Sequence, residues 1–336
     1  MIVHYGDTGL TQRCLDSVLA DSPVSTQVLV VDNGGCAKAD VERFKRCFEG
    51  DERVRFVGDG NNLGFAAACE GALEGFLSNA DIDAIALLNN DCEIESGFFQ
   101  AMQNALDPAA RIDMIASRMV AMDEAEVVDS LGIVLYSCGV AANRLAEDET
   151  LLGPCGGAAL YSTRLLRDLR QKTGQCFEPS FFCYAEDTDL ALRASLLGYR
   201  ATYAPEAVAR HVGSASSGGG ESEFVMYYGL RNSLSTLVRC MPFWFFVRYG
   251  LKLFLLQLML VAKYLRLGRF RALLRVWRDV MRALPQSLAM RSRLRRAGLL
   301  RWRSIADVVD RRFYQQSYLS RQSRLFFGSD TRREKH

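Results

Sequence analysis

The chain has 336 residues, 49% of them hydrophobic and 24% charged, with 7 prolines and 27 glycines. That is enough apolar material to bury a core, and it excludes global disorder and collagen-like or linker-dominated chains. The net charge of +2 conceals an asymmetry. Residues 1–230 hold 17 Lys and Arg against 34 Asp and Glu, a net of −17, while residues 231–336 hold 24 against 5, a net of +19. An acidic body with a strongly basic tail suggests that the tail meets an anionic surface, membrane or nucleic acid.

The first 110 residues alternate strand and helix signals. Ile2–Tyr5 is a short apolar run, and Leu10–Leu19 has helical apolar spacing. Val28–Val31 is a β-branched run that ends in Asp32-Asn33-Gly34-Gly35. Val41–Phe48 reads as helix, Val54–Val57 as strand, and Gly64–Leu77 as an Ala-rich helix after a Gly-Asn-Asn turn. Ala84–Leu88 is another buried strand, followed by Asn89-Asn90-Asp91 and a helix over Phe98–Leu106. Short apolar strands alternating with helices predict a parallel α/β sheet. In such sheets ligands bind beyond the carboxyl ends of the strands, where this chain repeatedly places polar residues.

Residues 111–165 are less regular and predict a mixed region, with strand-like pieces at Met114–Val120 and Val127–Leu135. Gly156-Gly157 permits close ligand approach, and a tight turn is an equal reading. Phe181–Leu190 then leads into a helix that runs to Leu197, with Gly198 suited to its cap. Glu186, Asp187 and Asp189 therefore sit at a helix N-terminus, where they either stabilise the dipole or hold a carboxylate for base chemistry. Tyr199–Ala204 reads as strand and His211 follows it; Ser214–Ser217 and Gly218-Gly219-Gly220 are flexible enough for a lid.

The tail differs in character. Glu221–Arg239 is helical, and Phe243–Ala262 has 16 apolar residues in 20, broken by Arg248 and Lys252. Arg248, Lys252, Lys263 and Arg266 fall within about 60° of one another on a helical wheel. This is the pattern of a helix lying in a membrane interface, and a larger Arg cluster from Arg269 to Arg303 follows it. The same apolar face would also suit burial against the body or in a homodimer. No run of 18 uncharged apolar residues occurs, so an ordinary membrane-spanning helix is not expected. The start, Met1-Ile2-Val3-His4-Tyr5, lacks the pattern of a secretory signal. The ten cysteines stand singly with no C-x-x-C pair, which predicts free thiols in a reducing cytoplasm and argues against a zinc site.

Displacing an anionic leaving group needs a cation for the departing phosphate and a base for the incoming hydroxyl. Asp91 at a strand end suits Mg²⁺ or Mn²⁺, His211 a second ligand or phosphate contact, and Asp187 the base. A nucleic-acid-binding protein would explain the tail but not this ordered carboxylate set. A catalytically dead scaffold sits poorly with intact Asp91, Asp187 and His211. A nucleotidyltransferase would be expected to show a basic Gly-rich loop after the first strand, which Gly6-Asp7-Thr8-Gly9 is not.

The sequence resembles the inverting family 2 glycosyltransferases of GT-A fold over residues 1 to about 240. The matching pieces include Val30-Val31-Asp32-Asn33, Asn61-Asn62-Leu63-Gly64, Asn89-Asn90-Asp91, Gly156-Gly157, Tyr184-Ala185-Glu186-Asp187-Thr188-Asp189, His211-Val212-Gly213-Ser214 and Tyr227-Tyr228-Gly229-Leu230-Arg231-Asn232. The bacterial rhamnosyltransferase-like branch, which builds O-antigen and related surface glycans, is the nearest in pattern. The resemblance implies a Rossmann-like, mostly parallel sheet flanked by helices over 1–232; the basic amphipathic helical tail over 233–336 follows instead from charge and apolar spacing. It implies that Tyr5, Asp32 and Asn62 hold the nucleoside and that Asn90-Asp91 stands at the family's D-x-D, with Asp91 and His211 on Mg²⁺ or Mn²⁺. It further implies Asp187 as base, Glu186 and Asp189 as its support, and Gly156-Gly157 lining the sugar pocket. The implied donor is dTDP-L-rhamnose or else a UDP-sugar. The implied acceptor is a lipid-linked glycan at the cytoplasmic face of the cell membrane, with no nucleic-acid partner. The D-x-D position carries one acid where the family pattern has two.

Overall fold

The computed structural model describes residues 1–22, 25–213 and 222–315. The expected lid over Ser214–Gly220 lies outside them. In chain order the first elements are β1 (Ile2–His4), α1 (Thr8–Asp21), β2 (Val28–Asp32), α2 (Lys38–Arg46), β3 (Val54–Val57), α3 (Phe65–Ser78), β4 (Ala84–Asn89), β5 (Cys92–Ile94) and α4 (Phe98–Asn104). Then come β6 (Ile112–Ala121), β7 (Val128–Ser130), β8 (Ile133–Tyr136), β9 (Ala141–Asn143), β10 (Ala158–Ser162), α5 (Thr163–Thr173), α6 (Glu186–Leu196) and β11 (Arg200–His211). The tail supplies α7 (Glu223–Cys240), α8 (Phe243–Arg266), α9 (Phe270–Arg282), α10 (Leu284–Arg296) and the short β12 (Val309–Asp310).

The main sheet runs in the order β3-β2-β1-β4-β10-β6-β11-β5, with β7 paired on β6. Its first four strands are parallel, as the alternating β and α signals require. Past β4 the sheet turns mixed: β10 is antiparallel to both β4 and β6, β11 is parallel to β6, and β5 is antiparallel to β11. A second sheet of β12, β8 and β9 lies apart from it. Two apolar layers cover the main sheet. One includes Leu15, Val18, Phe98 and Met102 from α1 and α4, and the other Cys69, Leu73, Leu165 and Leu169 from α3 and α5.

Helix α6 is buried along nearly its whole length, and two arginines neutralise the acid inside it. Asp189 accepts from Arg193 Nε at 2.7 Å and from Arg239 Nε at 2.8 Å, and Arg239 also pairs with Glu178. Arg239 belongs to α7, so this charged core bolts the tail to the body. The boundary expected at 232 falls within α7. The tail's other ties are equally direct: Arg293 Nη1 donates to the Thr173 carbonyl at 3.0 Å, and β12 extends the small sheet beside β8.

Helix α8 is long and apolar enough to cross a membrane by length and composition alone, although a span was not expected. It is held along one side by the body. Phe245, Tyr249 and Tyr264 are buried, and Lys252, expected on the basic stripe, instead donates to Ser137 Oγ and to the Arg311 carbonyl, both at 2.8 Å. Its other side is bare: Leu251 is 72% exposed, Phe243 68% and Trp244 62%.

Candidate active site

A cavity of about 790 Å³ opens at the carboxyl ends of the strands. It is lined by Tyr5, Asn62, Asn90, Asp91, Gly156, Gly157, Glu186, Asp187 and His211, all of them expected site residues. Strand ends supply most of them. The turn after β1 gives Tyr5, whose carbonyl takes a hydrogen bond from Asn90 Nδ2 at 3.1 Å. Asn33, after β2, donates to Asn62 Oδ1 at 3.3 Å and accepts from the Leu63 amide at 2.9 Å. Both asparagines therefore fix the loop ahead of α3 and face the same cavity.

Two expected residues stand elsewhere. Asp32 lines a neighbouring cavity of about 470 Å³ and meets the main one only through Asn33. Successive side chains at a strand end point to opposite sides, so Asp32 and Asn33 diverge. Asp189 lies in the ion network under α6 and does not line the cavity. Residues two positions apart on a helix differ by about 200° around its axis, so Asp187 facing the cavity turns Asp189 inward.

The metal pair is assembled by pairing of β11 with β5, which sets His211 opposite Cys92 and next to Asp91. His211 Nε2 lies 3.2 Å from Asp91 Oδ1, and Nδ1 lies 2.8 Å from Asp129 Oδ2. Asp129 had no sequence signal. It is the extra residue of a bulge where β7 crosses β6, between Ser130 opposite Met119 and Val128 opposite Val120, and bulges re-aim side chains. Burial disfavours a charged His211, but the hydrogen bonds it donates to Asp129 and then Asp91 outweigh it and push the imidazole up to about 9. Asp91, Cys92 and His211 offer ligand atoms within 4.8 Å of one another. Cys92 is excluded as a ready ligand, because burial holds its thiol protonated and it donates to the Gly157 carbonyl.

The residues present fit a divalent cation. Asp91 gives an oxygen, His211 Nε2 a nitrogen, and Asp129 behind Nδ1 orients the ring as outer carboxylates do in metal sites. Two protein ligands leave positions open to the cavity, as an octahedral Mg²⁺ or Mn²⁺ shared with phosphates requires.

Asp187 faces these groups from the start of α6. Its Oδ2 accepts from the Gly156 amide at 3.0 Å and its Oδ1 from the Thr188 amide at 2.6 Å. Burial raises its affinity for a proton, and these hydrogen bonds temper the effect. Burial, and then the neighbouring Asp187, push Glu186 up to about 8, and its Oε2 has no partner among the described residues. The pair thus carries a proton-rich neighbour beside a carboxylate raised in basicity, a suitable arrangement for a general base.

The loop before α6 is held under strain. Phe182 (φ 66°, ψ −65°), Tyr184 (φ 67°) and Ala185 (φ 64°) adopt backbone angles that non-glycine residues rarely take. Such residues cost about 1–3 kcal/mol each and need surrounding structure to enforce them. Asn232, fully buried on α7, does so: its amide nitrogen lies 2.9, 2.8 and 2.8 Å from the carbonyls of Phe181, Cys183 and Tyr184. Gly64 makes room on the other side, since a Cβ there would lie 2.4 Å from Phe182 Cδ2. The Arg-Asn piece of the sequence thereby acquires a physical role that its spacing alone did not disclose.

Comparison with known proteins bears on the family and the fold. Residues 1–170 match the model of the family described as "Glycosyl transferase family 2". No curated protein matches the chain. Among solved structures, GalNAc-T7 with UDP, GalNAc and Mn²⁺ aligns at TM-score 0.54 and 12% identity over 71% of this chain. S. aureus TarS 1-349 aligns at 0.49 and 15% over 71%. The mannosyltransferase PcManGT from Pyrobaculum calidifontis, in complex with GDP-Man and Mn²⁺, aligns at 0.46 and 15% over 97%. The matched parts span 47%, 64% and 79% of those chains in turn. The fold is GT-A, with a mixed sheet flanked by helices and a carboxyl-terminal helical region.

Proposed function

The chain belongs to glycosyl transferase family 2, and on that premise we propose that it moves a sugar from a nucleotide-sugar to an acceptor hydroxyl by a single in-line displacement. The observation that carries the reading is the single cavity in which Asp187 faces Asp91 and His211, with Tyr5, Asn33 and Asn62 along its side. The nucleoside lies against Tyr5, Asn33 and Asn62, with its base directed toward Asp32. Asp187 takes the acceptor's proton. The hydroxyl oxygen bonds to the anomeric carbon, the bond from that carbon to the diphosphate breaks, and its electron pair leaves with the nucleoside diphosphate. Configuration inverts. A divalent cation held by Asp91 and His211 would take up the charge that develops on the leaving diphosphate.

The donor we favour is dTDP-L-rhamnose, on the strength of the motif set around Glu186-Asp187 and the single-acid Asn89-Asn90-Asp91. The product would enter a bacterial cell-surface polysaccharide. The acceptor is a lipid-linked glycan, and the protein works at the cytoplasmic face of the cell membrane. The bare side of α8 supports that location, and so do the exposed Arg271, Arg275, Arg278 and Arg282 on α9 beside it, which suit anionic headgroups. Lying flat fits better than spanning. The contacts of Phe245, Tyr249 and Lys252 with the body lie along the first half of the helix, so a spanning pose would drag polar body into the hydrocarbon.

The test is a melting-temperature shift with dTDP, UDP, GDP and CDP, each with and without Mn²⁺. A ligand at about 100 times its dissociation constant stabilises by roughly 2.7 kcal/mol. A Mn²⁺-dependent shift with dTDP supports the reading. A shift with UDP alone keeps the transferase and replaces the sugar, and no shift at all rejects it. For the location, the full chain should float with phosphatidylglycerol liposomes and the Leu251→Ser, Phe254→Ser variant should not. Equal flotation would reject α8 as the docking face.

A further inference from the structure

We propose that Phe182, Tyr184, Phe224 and Tyr228 form the acceptor subsite, and that its occupant is the sugar ring that bears the attacking hydroxyl, held by its apolar C–H face. This rests on the reading of Asp187 as the base. The four rings form one connected wall. Phe182 stacks on Tyr228 with centroids 5.2 Å apart at 24°, and Phe224 lies 4.8 Å from Tyr228 and 6.4 Å from both Phe182 and Tyr184. Phe182, Tyr184 and Phe224 line the cavity directly, together with Gly229 and Ser233 of α7, while Tyr228 backs Phe182.

The geometry of displacement assigns this wall to the acceptor. In an in-line reaction the leaving diphosphate and the attacking hydroxyl occupy opposite sides of the anomeric carbon. The diphosphate side is marked by Asp91 and His211, and the nucleoside side by Tyr5, Asn33 and Asn62. The attacking side is marked by Asp187, and the cavity-facing residues that precede it in the chain are Phe182 to Ala185. A hydroxyl within hydrogen-bond reach of Asp187 therefore brings its own ring against this loop and against α7.

The chemistry of the wall selects a sugar ring. Aromatic side chains offer broad apolar faces at low entropic cost, and a pyranose presents a matching C–H face while its hydroxyls stay polar at the edge. The wall is also rigid. The Phe182 carbonyl accepts from the Ala66 amide at 3.0 Å, Asn232 clamps the loop, and Arg275 lies 4.7 Å over the ring of Tyr227, which packs behind Tyr228. Phe224 remains 41% exposed, an aromatic face at the cavity mouth that the fold itself leaves partly uncovered. A lipid chain fits less well, because the group next to Asp187 must carry the reacting hydroxyl.

The experiment uses the full chain with saturating dTDP or UDP and Mg²⁺. Saturation-transfer NMR is recorded with methyl α-rhamnoside, α-glucoside, α-galactoside and β-N-acetylglucosaminide as probes. Ring-proton transfer is expected from at least one of them. It should fall about fivefold or more in Phe224→Ala and return in Phe224→Tyr, while the nucleotide's dissociation constant stays within about twofold in both. Phe224 sits in the exposed first turn of α7, so a melting curve verifies that the variants are folded. Transfer from none of the glycosides, or unchanged transfer in Phe224→Ala, would overturn the assignment. A parallel loss of nucleotide affinity would also overturn it by placing the ring on the donor side. Failure of the unsubstituted protein to bind any nucleotide would instead bring down the transferase reading beneath it.

Discussion

The two sides of the cavity are built on different principles. The side proposed for the donor consists of turns at strand ends that hold no non-glycine residue at positive φ and are tied to one another by single hydrogen bonds: Asn33 to Asn62, and Asn90 to the turn after β1. The acceptor side is a strained loop that would not hold its shape alone, enforced by Asn232 about fifty residues downstream. A side built of unstrained turns should tolerate single changes with losses confined to binding. A side whose strained backbone depends on one buried side chain should lose turnover when either the reacting group or its restraint is removed.

The largest effect is expected on the acceptor side. Asp187→Asn should cut turnover by about 10²–10⁴-fold while nucleotide affinity is retained, as measured by rapid-mix kinetics and calorimetry. Retained turnover would remove Asp187 as base and with it the distinction between the two sides. On the donor side, Asp129→Asn should weaken Mn²⁺-dependent nucleotide binding by about 10–100-fold without changing affinity measured in chelator. Equal losses in both conditions would show Asp129 to be a general structural prop. Asn232→Ala should remove the donor that three backbone carbonyls share and cost about 1–3 kcal/mol of stability. Among molecules that remain folded, it should also lower turnover by about tenfold at saturating donor with little change in nucleotide affinity. A change in stability alone would make the clamp incidental to catalysis.

The smallest effect concerns Glu186. Burial and then Asp187 raise it from the ordinary 4.5 to about 8, so folding favours its neutral form. Its contribution to stability is complete below about pH 4.5 and is lost as pH climbs toward 8. Glu186→Gln should therefore melt close to the unsubstituted protein at pH 4.5 and a few degrees above it at pH 9. A constant difference across that range would mean that the carboxyl does not titrate as its burial demands.

The sequence made the donor side readable because strand ends announce themselves: an apolar run stops and Asn or Asp follows. His211 was also recognisable, although pairing with β5 was needed to bring it to Asp91. Asp129 was hidden because a bulge, not a periodic pattern, turns it inward. Asp32 and Asp189 came from the family resemblance, which does not say which way a side chain points: Asp32 lines the neighbouring cavity, and the pitch of a helix turns Asp189 into the ion network. Asn232 carried a motif without a reason, since its partners are the backbone carbonyls of a loop whose shape no local signal specifies. The mixed half of the sheet was likewise readable only as irregularity, because antiparallel β10 inserts between β4 and β6, both well before it in the chain.

Helix α7 also determines how this chain can be recombined. It contributes Phe224 to the cavity, Asn232 to the loop, Tyr227 to Asp279 of α9, and Arg239 to Asp189 and Glu178. A hybrid joined at residue 232 would keep those two buried acids and discard their shared arginine, at a cost of about 3–5 kcal/mol for an uncompensated buried charge. The workable seam is the Met241–Pro242 step, where α7 has ended and α8 has yet to begin. Exchanging everything beyond it would transplant α8 and its exposed apolar side and replace the Asp279 and Arg275 partners of Tyr227, while keeping Phe224, Asn232 and Arg239 in place.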